Sequence, residues 1–123
     1  MSTRSSIAVL KADGSVEAVY CHFDGYLEGV GKTLKEHFAT QAKAEELVDL
    51  GSLSVVAGAE SLREVIAYSR DRGEPYERNR PCQYADIDSY FSLVEHAIGD
   101  NGYRYIFRNG KWQVWGDMEL RDV

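Results

Sequence analysis

The sequence predicts an α+β fold: a mostly antiparallel sheet built from N- and C-terminal hairpins, with two or three helices covering one face. Three observations lead there. Asp13-Gly14 separates two β-prone runs near the start, and Asn109-Gly110 separates two more near the end. Between them, apolar residues recur at helical spacing. The 123 residues, 44% of them hydrophobic, suit a single domain, residues 1–123, whose core is large enough to do without a metal or disulfide staple.

The first hairpin joins residues 7–11 to 16–22 across Ala12-Asp13-Gly14-Ser15, where glycine accepts the positive φ that such turns use. Alternation in its second run sends Tyr20 to one face, and Val19 and Cys21 to the other. Val30, Leu34 and Phe38 then recur four apart, the apolar stripe of a helix over 30–38. Thr40 is placed to cap a second helix, 41–50, with Ala44, Leu47 and Val48 inward and Gly51 at its end. Residues 52–70 give conflicting signals. Ser61-Leu62-Arg63-Glu64 has the form of a capping box, whereas Val65-Ile66-Ala67-Tyr68 is β-prone, and a strand at 65–70 is expected.

Residues 70–81 hold four arginines, three carboxylates and both prolines, and read as a long polar loop. Asp88 or Ser89 can cap a helix ending near Ile98 that turns Phe91, Val94 and Ile98 to one side. Residues 103–108 and 111–115 make the closing hairpin. Tyr103, Tyr105 and Phe107 take one of its faces, and Arg104, Ile106 and Arg108 the other.

Twenty acidic against fourteen basic residues give a net charge of −6, which disfavours direct non-specific binding of nucleic acid. No apolar run approaches the ~20 residues that span a membrane. The opening Met-Ser-Thr-Arg-Ser-Ser lacks the apolar stretch of a signal peptide, so a soluble, cytoplasmic protein without membrane contact is expected. Cys21 and Cys82 lie far apart and outside any Cys-x-x-Cys pattern, which fits two free thiols in a reducing compartment.

Gly29-Val30-Gly31-Lys32-Thr33, after a strand-like run, invites comparison with a phosphate-binding loop. That loop needs a glycine five residues before Gly31, where this chain has Tyr26, and Gly25 is displaced by one. The slip matters because the loop wraps successive backbone N–H groups around phosphate oxygens, and Glu28 would set a carboxylate against them. No later strand ends in an aspartate suited to magnesium, and an antiparallel sheet is the wrong setting. A weaker anion site at Gly29, Gly31 and Lys32 stays open beside the plainer reading, in which the glycines let a strand turn into a helix.

Cys21 and His22 are adjacent, so on a strand they face opposite sides and cannot readily share one metal ion with Asp24. No metal and no cofactor are expected. Cys21 or Cys82 with His37 or His96 gives no catalytic constellation by spacing alone, and Cys21 reads better as a small buried apolar residue. The aromatics of the last hairpin read either as a stacking platform or as core. Trp112 and Trp115 alternate to opposite faces, so one large aromatic is expected away from the main core; Trp112 is taken as a candidate contact residue.

Tyr20-Cys21-His22-Phe23-Asp24-Gly25-Tyr26, Arg70-Asp71-Arg72-Gly73-Glu74 and Gly110-Lys111-Trp112 together carry a likeness that spans most of the chain. It resembles a family of small, uncharacterised proteins of bacteriophage genomes and prophages, with the pattern Tyr-Cys-His-aromatic-Asp-Gly-Tyr, then Arg-Asp-Arg-Gly-Glu, then a closing Gly-Lys/Arg-Trp hairpin. The resemblance carries no catalytic residue over. It implies a phage setting, in which small accessory proteins disable host defences by binding. The expected function is therefore a non-enzymatic inhibitor of a bacterial defence protein, anti-CRISPR-like, whose partner is a host protein or protein complex.

Two other classes stay open: a binder that sequesters a nucleotide signal, and a small enzyme centred on residues 20–24. Binding residues concentrate on loops held by a rigid scaffold. That singles out Asp24, Tyr26 and Glu28 on the glycine-rich bend and Arg70, Asp71, Arg72 and Glu74 on the polar loop, as two parts of one surface.

Overall fold

The computed structural model describes residues 3–99, 102–116 and 119–123. The chain opens with β1 (Ser5–Leu10) and β2 (Val16–Cys21), then a π-helical turn (Leu27–Gly31) that runs on into α1 (Lys32–His37). After α2 (Gln41–Asp49) come β3 (Leu53–Val55), a 3-10 turn (Leu62–Glu64) and β4 (Ile66–Ala67). The short α3 (Tyr68–Arg72) and α4 (Tyr76–Asn79) precede β5 (Cys82–Tyr84). Finally α5 (Ile87–Leu93) and α6 (Glu95–Ile98) lead to β6 (Tyr103–Arg108), β7 (Lys111–Gly116) and β8 (Glu119–Asp122).

The fold is α+β, with one mostly antiparallel sheet in the order β4-β3-β2-β1-β6-β7-β8. Both expected hairpins form. β1 pairs β2 from Ser5↔Cys21 to Leu10↔Val16, and β6 pairs β7 from Arg104↔Trp115 to Arg108↔Lys111. At the second turn Asn109 and Gly110 both take positive φ, 53° and 80°, the pairing that matches the right-handed twist of the flanking strands. The two hairpins join through a parallel pairing of β1 with β6, and β2 runs parallel to β3. β5 occupies the rest of the outer edge of β2, antiparallel, along residues 16–18.

Helices lie on both faces of the sheet, not one. Ile7, Val9, Val19 and Cys21 pack with Val30, Leu34 and Phe38 of the first helical stretch and Ala44, Leu47 and Val48 of α2. Ala8, Val16, Ala18 and Ile106 pack on the opposite side with Tyr90, Val94 and Ile98. A central strand covered twice reads as a continuous apolar run, and Ile7-Ala8-Val9 is such a run, every residue fully buried. Each fully buried Leu or Phe here contributes about 1.5–3 kcal/mol of transfer free energy. Tyr90 ties the second layer to the sheet, its hydroxyl donating to the Tyr105 carbonyl at 3.1 Å and sharing a hydrogen bond with the Ser6 hydroxyl at 2.8 Å.

Several local expectations change. Thr40 does cap α2, accepting from Lys43 N at 3.1 Å. The cap of α5 is Asp86, which accepts from Ser89 N at 2.8 Å, rather than Asp88 or Ser89. The strand expected at 65–70 shortens to Ile66–Ala67, because the Asp71 carboxylate accepts the Ala67 N–H at 2.7 Å and starts α3 instead. The capping box is not reciprocal: Glu64 accepts from Glu60 N, and the Ser61 side chain caps nothing. Residues 70–81 are not an irregular loop but the end of α3 and the turn α4, pinned where Tyr76 donates to the Asp49 carbonyl at 2.8 Å. Among the described residues no helix is long and apolar enough to cross a membrane.

Candidate functional site

The bend between β2 and α1 departs furthest from regular structure. Past Cys21 the chain stays beside β3, with His22 N and Phe23 N donating to the Leu53 and Ser54 carbonyls. Asp24 then takes φ 56°, a left-handed value that aspartate tolerates better than most side chains. Gly25 crosses the end of β1, where its N–H reaches the Thr3 carbonyl at 2.8 Å and its own carbonyl accepts the Tyr105 hydroxyl at 2.7 Å.

Close approach, rather than φ, demands the two glycines. A Cβ on Gly25 would sit 2.8 Å from the Thr3 and Arg4 carbonyl oxygens, and one on Gly29 would collide with the Asp24 carbonyl. Thus a loop is held rigidly from three strands. It presents Phe23, Tyr26 and Leu27 at 40%, 38% and 42% exposure, beside the exposed carboxylates of Asp24 and Glu28. The Tyr26 hydroxyl donates to Asp24 Oδ1 at 3.2 Å, which orients the ring.

The phosphate-loop comparison gains and loses from this geometry. β2, the helices and β3 form a parallel strand–helix–strand unit, the setting such a loop needs, contrary to the antiparallel expectation. Yet the backbone donors are spent internally: Gly29 N and Gly31 N on the Tyr26 carbonyl, Val30 N on that of Asp24, and Lys32 N on those of Leu27 and Gly29. Thr33, the residue that would meet magnesium, is buried, donates to the Gly29 carbonyl and accepts from Gly58 N, both at 2.9 Å. The N–H groups of residues 29–32, those that such a loop would turn to phosphate, are therefore committed within the turn.

Cys21 is fully buried, and burial pushes its thiol up to about 12, far from the thiolate that nucleophilic or metal chemistry uses. His22 Nδ1 shares a hydrogen bond with the Tyr20 hydroxyl, and the His22 ring meets Phe23 edge-on at 4.5 Å. Among the described residues no three His, Cys, Asp or Glu side chains come together as metal ligands. The side chain of His96 lies outside the described residues.

The two halves of the expected surface lie at opposite ends of the three-residue β3. The bend leaves from the C-terminal end of β3, whereas α3 starts at its N-terminal end, where Tyr68 N donates to the Ser52 carbonyl. Arg70 and Asp71 are engaged locally. Arg70 donates to both Asp71 oxygens at 3.1 Å and to the Val65 carbonyl at 2.6 Å, and this pairing, with the Ala67 N–H, holds the Asp71 carboxyl below its ordinary range. Arg72 lies over the Tyr68 ring, and Glu74 Oε1 accepts a long bond from Asn79 Nδ2. Trp112 is core, not contact surface: it is 3% exposed, edge-on to Phe107, and donates from Nε1 to the Phe38 carbonyl at 3.0 Å. Trp115 takes the other face and stacks on Phe91 at 4.8 Å.

Sequence reasoning did not single out Phe23 and Leu27 as exposed apolar side chains. For Phe23 the signal was present, a large aromatic inside a glycine-rich, charged bend ahead of the Val30, Leu34, Phe38 stripe; Leu27 falls on that stripe by helical spacing and so reads as core. It also missed a groove of about 460 Å³ between the first helical stretch and the last strands. Leu27, Tyr103 and Val114 give it apolar walls, and Lys32, Lys35 and Arg121 bring cations to it. In comparisons with protein-family models, curated proteins and solved structures, nothing matches this chain.

Proposed function

We propose that the protein acts by binding rather than by covalent chemistry, as an accessory protein that blocks a bacterial defence protein in the manner of an anti-CRISPR inhibitor. The observation that carries the binding part is the bend at 23–28. Three of the five large apolar side chains exposed among the described residues, Phe23, Tyr26 and Leu27, lie within five residues of one another on backbone locked by Gly25 and Gly29. Aromatic anchors on a rigid loop, rimmed by Asp24 and Glu28, are the composition of a protein-contact hot spot, because little entropy is lost on docking. The buried thiol of Cys21 supports the same reading for the bend: the nucleophile nearest to it in sequence is turned into the core. The phage setting and the defence target rest on the resemblance to phage proteins.

The test is functional. Wild-type protein and Tyr26→Ala are expressed in bacteria carrying an active CRISPR–Cas system, and the plating efficiency of a targeted phage is measured. The proposal expects wild type to restore plating and the folded variant to lose that effect. Restored plating by both proteins would move the contact away from the bend, and no restoration across CRISPR and restriction systems would remove the inhibitor reading.

A further inference from the structure

From the groove between the first helical stretch and the C-terminal strands we infer a second binding site, for a small aromatic anion: a flat ring system carrying a phosphate or carboxylate. The volume, about 460 Å³, is that of a small-molecule pocket. Tyr103 forms its aromatic wall, half-buried, with its ring 12° from parallel to Tyr105 and 6.2 Å away, so it is braced by the core. Leu27 and Val114 extend the apolar surface. A flat ring can cover these groups without filling the groove with flexible chain.

Charge selects an anion. Lys32 and Lys35 stand one helical turn apart and both line the groove, with Arg121 also on its lining. Among the described residues no carboxylate lies within ion-pairing distance of Lys32 or Lys35. Of the two carboxylates in the lining, Asp122 is held by Lys111 at 3.0 Å and by Gln113 at 3.2 Å. Glu28 is the other, and neither makes an ion pair with Lys32 or Lys35. Two lysines that make no ion pair with a described carboxylate, over an apolar floor, stand out in a chain of net charge −6. The anion is met by the lysine side chains, since the backbone donors of residues 29–32 are already spent. The groove adjoins the partner surface and shares Leu27 and Glu28 with it, but Tyr26→Ala tests that surface and leaves both lysines in place.

Isothermal titration of the full chain with 1-naphthyl phosphate tests the inference, with 1-naphthol as the neutral counterpart. Adenosine monophosphate is a second arm that separates nucleotides from simpler aryl anions. One-to-one binding is expected, weakening with salt and weakened about tenfold or more by Lys32→Ala/Lys35→Ala, because two charge-assisted contacts are lost. Lys43→Ala, a surface lysine elsewhere, should bind as wild type does. Adenosine monophosphate binding at least as tightly as naphthyl phosphate assigns the site to nucleotides, and weaker binding assigns it to simpler aryl anions. The inference is overturned if neither phosphate binds at millimolar concentration, if naphthol binds as well as its phosphate, or if the double lysine variant, folded by circular dichroism, keeps full affinity.

Discussion

Single residues carry the most specific consequences of this structure. Cys21 is a thiol in the core, raised by burial from 9.0 to about 12. The unfolded chain ionises it first, so the stability tied to its neutral form is whole below pH 9 and is lost as pH rises toward 12. Unfolding free energy, measured by urea titration between pH 9 and 10, should fall by up to about 1.4 kcal/mol per pH unit from this group. Cys21→Ala should flatten that slope; an unchanged slope would mean the thiol is not the group responsible. Tyr90 and Tyr105, also raised by burial, enter only at higher pH. Gly29 gives a steric counterpart. A methyl there meets the Asp24 carbonyl, so Gly29→Ala should cost about 1–3 kcal/mol or more, the range for overpacking. Gly58→Ala, with open space around its Cβ position but the same unfavourable left-handed φ as other turn glycines, should cost only its backbone strain.

At the scale of elements, what the sequence disclosed followed from local chemistry strong enough to decide alone. Asp-Gly and Asn-Gly turns fixed the hairpins, and Val30, Leu34 and Phe38 fixed the first helical stripe. Elements that depend on a neighbour were not legible. β3 and β5 have three residues each and exist because the edge of β2 has donors and acceptors to pair. The short α3 depends on Asp71 accepting the Ala67 N–H, which outweighs the β preference of Val65-Ile66-Ala67. The cap of α5 shows how close such decisions are, since Asp86, Asp88 and Ser89 all have capping side chains. Asp86→Ala should lower stability by about 1 kcal/mol, whereas Asp88→Ala should change it by a few tenths. Equal losses, by thermal or urea unfolding, would contradict the assignment.

Across the whole molecule, the two hairpins meet through β1 and β6, and that parallel join brings the bend at 23–28 beside the C-terminal strands. No spacing rule could foresee this, because it depends on which strands neighbour each other. The candidate residues therefore divide. Asp24, Tyr26 and Glu28 gather with Phe23 and Leu27, Arg70 and Asp71 brace α3, and Trp112 fills the core. The central claim is that binding to a protein partner passes through the bend. The most direct measurement is quantitative affinity capture from defence-proficient bacterial lysate with three baits: wild type, Tyr26→Ala and Arg72→Glu. Each captured component is then confirmed by equilibrium binding with purified protein. The account predicts one partner whose affinity falls at least tenfold, a loss of about 1.4 kcal/mol, in Tyr26→Ala through faster dissociation, and is unchanged in Arg72→Glu. A partner that binds Tyr26→Ala as tightly as wild type would contradict it.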